Sequence, residues 1–158
     1  MTTTSNSIGE TNLSKLLSSL RTTVAPSTYV WITIPNTAAT TNIPIPLSST
    51  IMTFHEPATP DHGPSTTLIT TLETARTHKL AYQYESRMIT CAVHSSLEAV
   101  GFLAVLTRVL ADKGISCNPV SAYYHDHLFV PVEKVDDAVE VLKGLAGGEG
   151  EGEDGLGQ

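Results

Sequence analysis

Two groups of side chains that could do chemistry lie between His94 and His127 of this 158-residue chain. His94-Ser95-Ser96-Leu97-Glu98, with Gly101 one turn further on, precedes an apolar pattern of helical period; Tyr124-His125-Asp126-His127 precedes an alternating one. The pair looks like a small-molecule recognition unit; suppose a ligand that carries both a carboxylate and an ammonium. Its carboxylate wants unpaired backbone amides at the positive end of a helix, which the turn His94–Glu98 offers. Its ammonium wants a carboxylate, Asp126 first and Glu98 second. Gly101 would let a ligand reach the backbone where a side chain would block it. Each residue also has an ordinary structural use. Ser95 and Glu98 fit a capping box, which would spend the amides a ligand needs. Gly101 can permit close helix–sheet packing, Asp126 can form a tight turn, and Tyr123 and Tyr124 can face out from a sheet.

Other chemistries find less support. His94, His125, Asp126 and His127 are of the types that zinc or non-haem iron takes. Yet His125 and His127 flank a turn and no cysteine joins them at metal spacing, so no metal and no cofactor are expected. Cys91 sits in an apolar strand without an activating neighbour. The adjacency of His94 and Ser95 is no triad, because neighbours in sequence rarely meet correctly. No catalytic residue is expected, and the chain reads as a binding protein and not an enzyme.

The elements that would position these groups follow from periodicity. Met88–Val93 is an apolar run of strand length, preceded by a short strand at Ala81–Glu85. Phe102, Val105, Leu106, Val109 and Leu110 lie on one helical face, and Gly114 stands where a left-handed cap belongs. Ile115–Tyr124 reads as a strand whose Pro119 suits an edge. Leu128, Val130 and Val132 alternate, and Val135, Ala138, Val139 and Leu142 form a second helix ended by Gly144 or by Gly147-Gly148. A βαββα order with both helices on one face is the ferredoxin-like arrangement. It places Cys91 and Cys117 on non-adjacent strands and lacks a fourth strand, so another segment or subunit must cover that edge. Upstream, Tyr29–Ile34, Thr50–His55, Thr66–Thr71, Leu72–Leu80 and Ala81–Glu85 give a similar unit with a loop, Asn36–Ser49, in place of its first helix. The Leu13, Leu16, Leu17, Leu20 stripe, capped by Asn12 or Thr11, could fill that vacancy. The fold class is therefore α+β: two ferredoxin-like (βαββαβ) units sharing a core, residues 12–86 and 87–146, between disordered ends at 1–11 and 147–158.

The net charge of −7 and the lack of basic runs argue against nucleic acid or an anionic membrane as partner. Glu149, Glu151, Glu153 and Asp154 carry much of that charge in a Gly-rich tail. No apolar run approaches the ~20 residues that span a bilayer, and the N-terminus shows no secretion signal. With only two cysteines, reduced thiols and a cytoplasmic location are expected.

From Met88 to Glu133, MITCAVHSSLEAVGFLAVLTRVLADKGISCNPVSAYYHDHLFVPVE resembles the C-terminal ACT unit of a family of small, functionally uncharacterised tandem-ACT proteins. The earlier YVWITIP and TFHEP pieces resemble it more loosely, so the likeness spans roughly Leu13–Leu142. More distantly, the helix start and the Asp-His element are similar to CASTOR-type arginine sensors and to the regulatory end of aspartate kinases. The resemblance implies an amino acid as ligand and a ligand-contacting acid at Asp126, without carrying over side-chain specificity. The expected site is His94, Ser95, Ser96, Leu97, Glu98, Gly101 and Asp126, with Tyr124, His125 and His127 as secondary candidates. A regulatory, amino-acid-sensing homodimer is the expected function. The alternatives are a ligand-free module docking on a metabolic enzyme and a histidine-cluster metal-binding protein.

Overall fold

Leu13, Leu16 and Leu17 do share one helical face, on α1 (Leu13–Ser18), which Asn12 opens by accepting the Lys15 amide at 3.0 Å, and Leu20, just past its C-terminal cap, joins the same core. In the computed structural model, residues 9–36 and 43–147 are described. Met1–Ile8, the tail from Gly148 and part of the Asn36–Ser49 loop fall outside them. The other elements are β1 (Thr22–Pro35), β2 (Thr50–Glu56), β3 (Ser65–Thr71), α2 (Leu72–Thr77), β4 (Gln83–Cys91), α3 (Phe102–Asp112), β5 (Asn118–Ser121), β6 (Asp126–Pro131) and α4 (Val135–Gly147). They divide into two compact units, Ala25–Met88 and a second built from the segments 1–24 and 89–158.

In the 25–88 unit the strand order is β2-β3-β1-β4. β1 runs antiparallel to β3 with Val30 opposite Thr70 and Ile32 opposite Leu68, and β2 runs antiparallel to β3 with His55 opposite Thr66. Two-residue alternation sends Val30, Ile32 and Leu68 into a core with Ala75 of α2. Among the described residues the β1–β2 connection holds no α-helix. Its Ile45 is buried and Ile43 packs beside it, so the loop fills part of the space left by the absent helix. Buried Ser86 donates to the Tyr29 carbonyl at 3.1 Å, and Arg87 donates twice to the Ala25 carbonyl, at 2.7 and 3.2 Å.

The second unit has the order β1-β4-β6-β5, with Thr22–Val24 of β1 and Ile89–Cys91 of β4 as its share of those strands. The edge left without a partner in the βαββα reading is thus covered by the start of β1, and Ala92 donates to the Arg21 carbonyl at 2.7 Å. Pro119 lies on β5, the edge strand, as its missing amide requires. Leu106 and Leu110 of α3, Leu128 and Val130 of β6 and Leu142 of α4 are fully buried.

Three expectations change. First, α1 does not occupy the vacancy in the 25–88 unit. It packs on α3 and α4, with Leu16 and Leu20 in the core of the second unit. A leucine stripe states that a face is buried, not against what. Second, the strands expected at Ala81–Glu85 and Met88–Val93 are one strand, β4; Ser86 and Arg87 read as a break in sequence but spend their side chains on the β1 backbone. Third, Gly9–Thr11 is not free. Glu10 bridges Ser95 in parallel, its amide donating to the His94 carbonyl and its carbonyl accepting the Ser96 amide, both at 2.9 Å. Gly9 lies so close that a Cβ there would stand 2.7 Å from the Ser96 nitrogen, with φ at +113°.

Candidate ligand-binding site

Within the second unit, a cavity of about 200 Å3 opens between the segment after β4, the first turn of α3 and the β5–β6 hairpin. Ser95, Ser96, Leu97, Gly101 and Asp126 all line it, together with Phe102, Leu103 and Ser121. Asp126 is its one charged wall residue, only 4% exposed. One carboxylate oxygen accepts the Ser95 hydroxyl at 3.0 Å and the other accepts the Ser121 hydroxyl. Among the described residues no lysine, arginine or histidine forms an ion pair with it. Asp126 is therefore not the turn former of the simpler reading. It begins β6, paired across the hairpin with Ser121, and the turn itself is closed by the Ala122 amide donating to the His125 carbonyl at 3.0 Å.

The capping box at Ser95-Ser96-Leu97-Glu98 does not form. α3 begins later, at Phe102, and its N-cap is Gly101, whose φ of 91° is one that L side chains rarely adopt. A Cβ on Gly101 would also meet Leu13 of α1 at 3.4 Å, so the glycine serves helix packing as well as lining the cavity. Ser95 directs its hydroxyl to Asp126 instead of an amide, while Ser96 accepts the Glu98 amide at 3.2 Å. The amides of the His94–Glu98 turn are largely spent: Ser95 on the Val93 carbonyl, Ser96 on Glu10, Glu98 on Ser96. At the start of α3 the amides of Phe102, Leu103 and Ala104 have no intrahelical acceptor, because the first intrahelical bond is Val105 to the Gly101 carbonyl at 3.0 Å. All three residues line the cavity. The helix start thus lies one turn beyond the position that the Ser-x-x-Glu pattern indicates.

The remaining predicted residues lie at or beyond the rim. Glu98 is exposed and does not line the cavity. His94 is exposed, its ring centroid 5.5 Å from that of Tyr124, which packs edge-on against Tyr123 at 4.8 Å. His127 points elsewhere, Nδ1 lying 3.0 Å from the Thr90 hydroxyl; burial, then neighbouring His125, hold its pKa below the ordinary value against the opposing pull of Asp126. Among the described residues no three His, Cys, Asp or Glu side chains gather as a metal would require. Ser121 is the partner of Asp126 that sequence reading missed. Its signal was the hairpin itself, since a four-residue connection places positions 121 and 126 opposite each other.

Burial, Asp126 and Cys117 together push the Cys91 thiol up to about 12, and burial pushes Cys117 up to about 11, from an ordinary 9.0. Both cysteines are free. The folded state keeps protons that the unfolded chain loses above pH 9, so this contribution to stability is complete below pH 9 and is lost as pH rises toward 11–12. At pH 8 a thiol reagent should label neither cysteine in the native protein and both in urea; rapid native labelling of Cys91 would contradict its burial.

A wider hollow of about 390 Å3 lies in the 25–88 unit, among Thr28, Thr71, Glu73 and Arg76. Arg76 is mostly exposed and paired with Glu85 at 3.7 Å, so this hollow holds no buried charge awaiting a partner. The smaller cavity is the one with chemistry.

Two ferredoxin-like α+β units in one chain is the class of protein that the fold defines. Two ACT domain models match it in tandem, one over residues 8–87 and the other over 83–144, and the chain belongs to the ACT domain family. ACT domains are typically regulatory, ligand-binding modules. Among solved structures, a Vibrio cholerae protein of unknown function, described as a possible transport protein, is 35% identical with a TM-score of 0.68, covering 85% of this chain and 95% of that one. An Agrobacterium tumefaciens protein matches at 13% identity and TM-score 0.57, covering 80% and 89%. The ligand-free regulatory subunit of aspartate kinase from Thermus thermophilus matches at 8% and 0.56, covering 78% and 95%. At such identities these last two show the fold alone. No curated protein matches the sequence. Among the described residues no helix is long and apolar enough to cross a membrane.

Proposed function

We propose that this protein is a non-enzymatic regulatory module that binds a free amino acid in the cavity beside Asp126. One observation carries the reading: a carboxylate 4% exposed, held by two serine hydroxyls with no cation paired to it among the described residues, forms a wall of a cavity that the first turn of α3 also lines. Burying a charge without a counter-charge is costly. A ligand ammonium removes that cost, and the α-carboxylate of the same ligand then faces the Phe102–Ala104 amides and the helix dipole. Ser95 and Ser121 orient Asp126, and Ser96, Leu97 and Gly101 complete the walls.

The module also works as a homodimer in the cytoplasm. The pairing is supported by β2, at the end of its unit's strand order, with Ile51 and Phe54 exposed along it; the location is supported by the two free thiols. A thermal-shift panel of the common amino acids tests the function. A ligand at about 100 times its dissociation constant adds ~2.7 kcal/mol of stability, a plain shift in melting temperature. A flat panel would sink amino-acid sensing and favour the ligand-free docking module instead. Light scattering on the same samples should give the mass of a dimer, and a monomer at micromolar concentration would remove that part.

A further inference from the structure

Resting on the proposed site, we infer that its ligand is a small amino acid whose side chain carries no negative charge, and that Asp126 sets this selectivity. The charge on the cavity wall is already matched by a zwitterion. Asp126 takes the ammonium, and the α3 amides take the single α-carboxylate. A second carboxylate, as in aspartate or glutamate, would find no lysine, arginine or histidine among the lining residues and would share about 200 Å3 with the Asp126 charge. An unpaired charge in a poorly solvated site is the repulsive element by which a pocket discriminates between otherwise similar ligands.

Size points the same way. Cavities for drug-sized ligands run from roughly 300 Å3 upward, and this one is smaller, its inner wall closed by Phe102, 3% exposed. The small volume favours a short side chain over a ring-bearing one. The polar lining suits a small ligand. Ser95 and Ser121 spend their hydroxyl protons on Asp126, whereas Ser96, 7% exposed, uses its oxygen to accept the Glu98 amide. The Ser96 hydroxyl proton has no acceptor among the described residues and is available to the ligand carboxylate or to a ligand hydroxyl.

The test is calorimetric titration of the full chain with glycine, alanine, serine, threonine, aspartate, glutamate and phenylalanine. At least one of the first four should bind at least ~10-fold more tightly than aspartate, glutamate or phenylalanine. Equal or tighter binding of an acidic or aromatic ligand would overturn the inference while leaving amino-acid sensing intact; no binding by any amino acid would instead fail the proposed function, and the inference with it. A second variant isolates charge from size. Ala122 is exposed on the cavity wall, so Ala122→Lys should fold and supply the missing cation. It should lower the preference for neutral over acidic ligands by at least ~10-fold. An unchanged preference would show that charge does not select the ligand.

Discussion

Asp126→Asn is expected to abolish amino-acid binding while leaving the unliganded protein as stable as before, or more so. Asparagine matches aspartate in shape. Its carbonyl can accept one serine hydroxyl and its amide can donate to the other, so the bonds to Ser95 and Ser121 survive in altered polarity. What disappears is a negative charge buried without a paired cation. Removing a residue kept for function at the expense of stability commonly returns about 0.5–2 kcal/mol, and a rise of that size is expected in the free energy of unfolding. Ligand binding should move the other way. Truncating one partner of a buried, hydrogen-bonded charge pair costs about 2–5 kcal/mol, at least ~30-fold in affinity, because the ligand ammonium would enter the cavity unmatched. Urea unfolding with and without the best ligand of the panel reads both effects. A variant losing more than ~2 kcal/mol without ligand would show that the carboxylate is a structural part of the β5–β6 hairpin, and retained binding would place the ammonium elsewhere.

Leu16→Ala is expected to cost about 2–5 kcal/mol, the usual range for emptying a fully buried leucine site. Against a total of about 5–15 kcal/mol for a domain, that is a large share. Leu16 is 1% exposed in the core formed with α3 and α4, whereas Leu13 and Leu17 on the same helix are only partly buried and should cost less. The measurement also reports where α1 belongs. Hydrogen exchange should quicken first in α3 and α4, whose fully buried Leu106 and Leu142 belong to the same core. A loss below ~1 kcal/mol would mean that α1 is a peripheral helix.

The contrast between these two residues shows how far the sequence can be read. Leu16 is visible as part of a stripe at i, i+3, i+4 and i+7, and the helix follows from it. Its partner does not, because periodicity carries no information about which of several apolar faces comes to meet it. Ser95-Ser96-Leu97-Glu98 misleads for a related reason. The local pattern for a capping box is complete, yet Gly101 allows a positive φ that restarts the chain and delays the helix to Phe102. The Ser95 hydroxyl then has a better acceptor available, a buried carboxylate 31 residues away, and a charged acceptor outweighs a neutral one.

Taken alone, the sequence determined the α+β class, the order of the second unit from β4 to α4, the edge position of Pro119, the left-handed turn at Gly114 (φ 68°) and the pairing of an acid at 126 with a loop near 95 as one neighbourhood. These are local matters of period, turn chemistry and the short connections that force neighbouring elements together. Tertiary structure alone decided that α1 and the first residues of β1 complete the unit of residues 89–147, that the Glu10 carbonyl takes the Ser96 amide, and that the helix starts at Phe102, leaving the Phe102–Ala104 amides without intrahelical acceptors. Each depends on contacts between segments tens of residues apart. Such contacts are chosen by which buried polar groups and apolar faces remain unsatisfied after the local structure has formed.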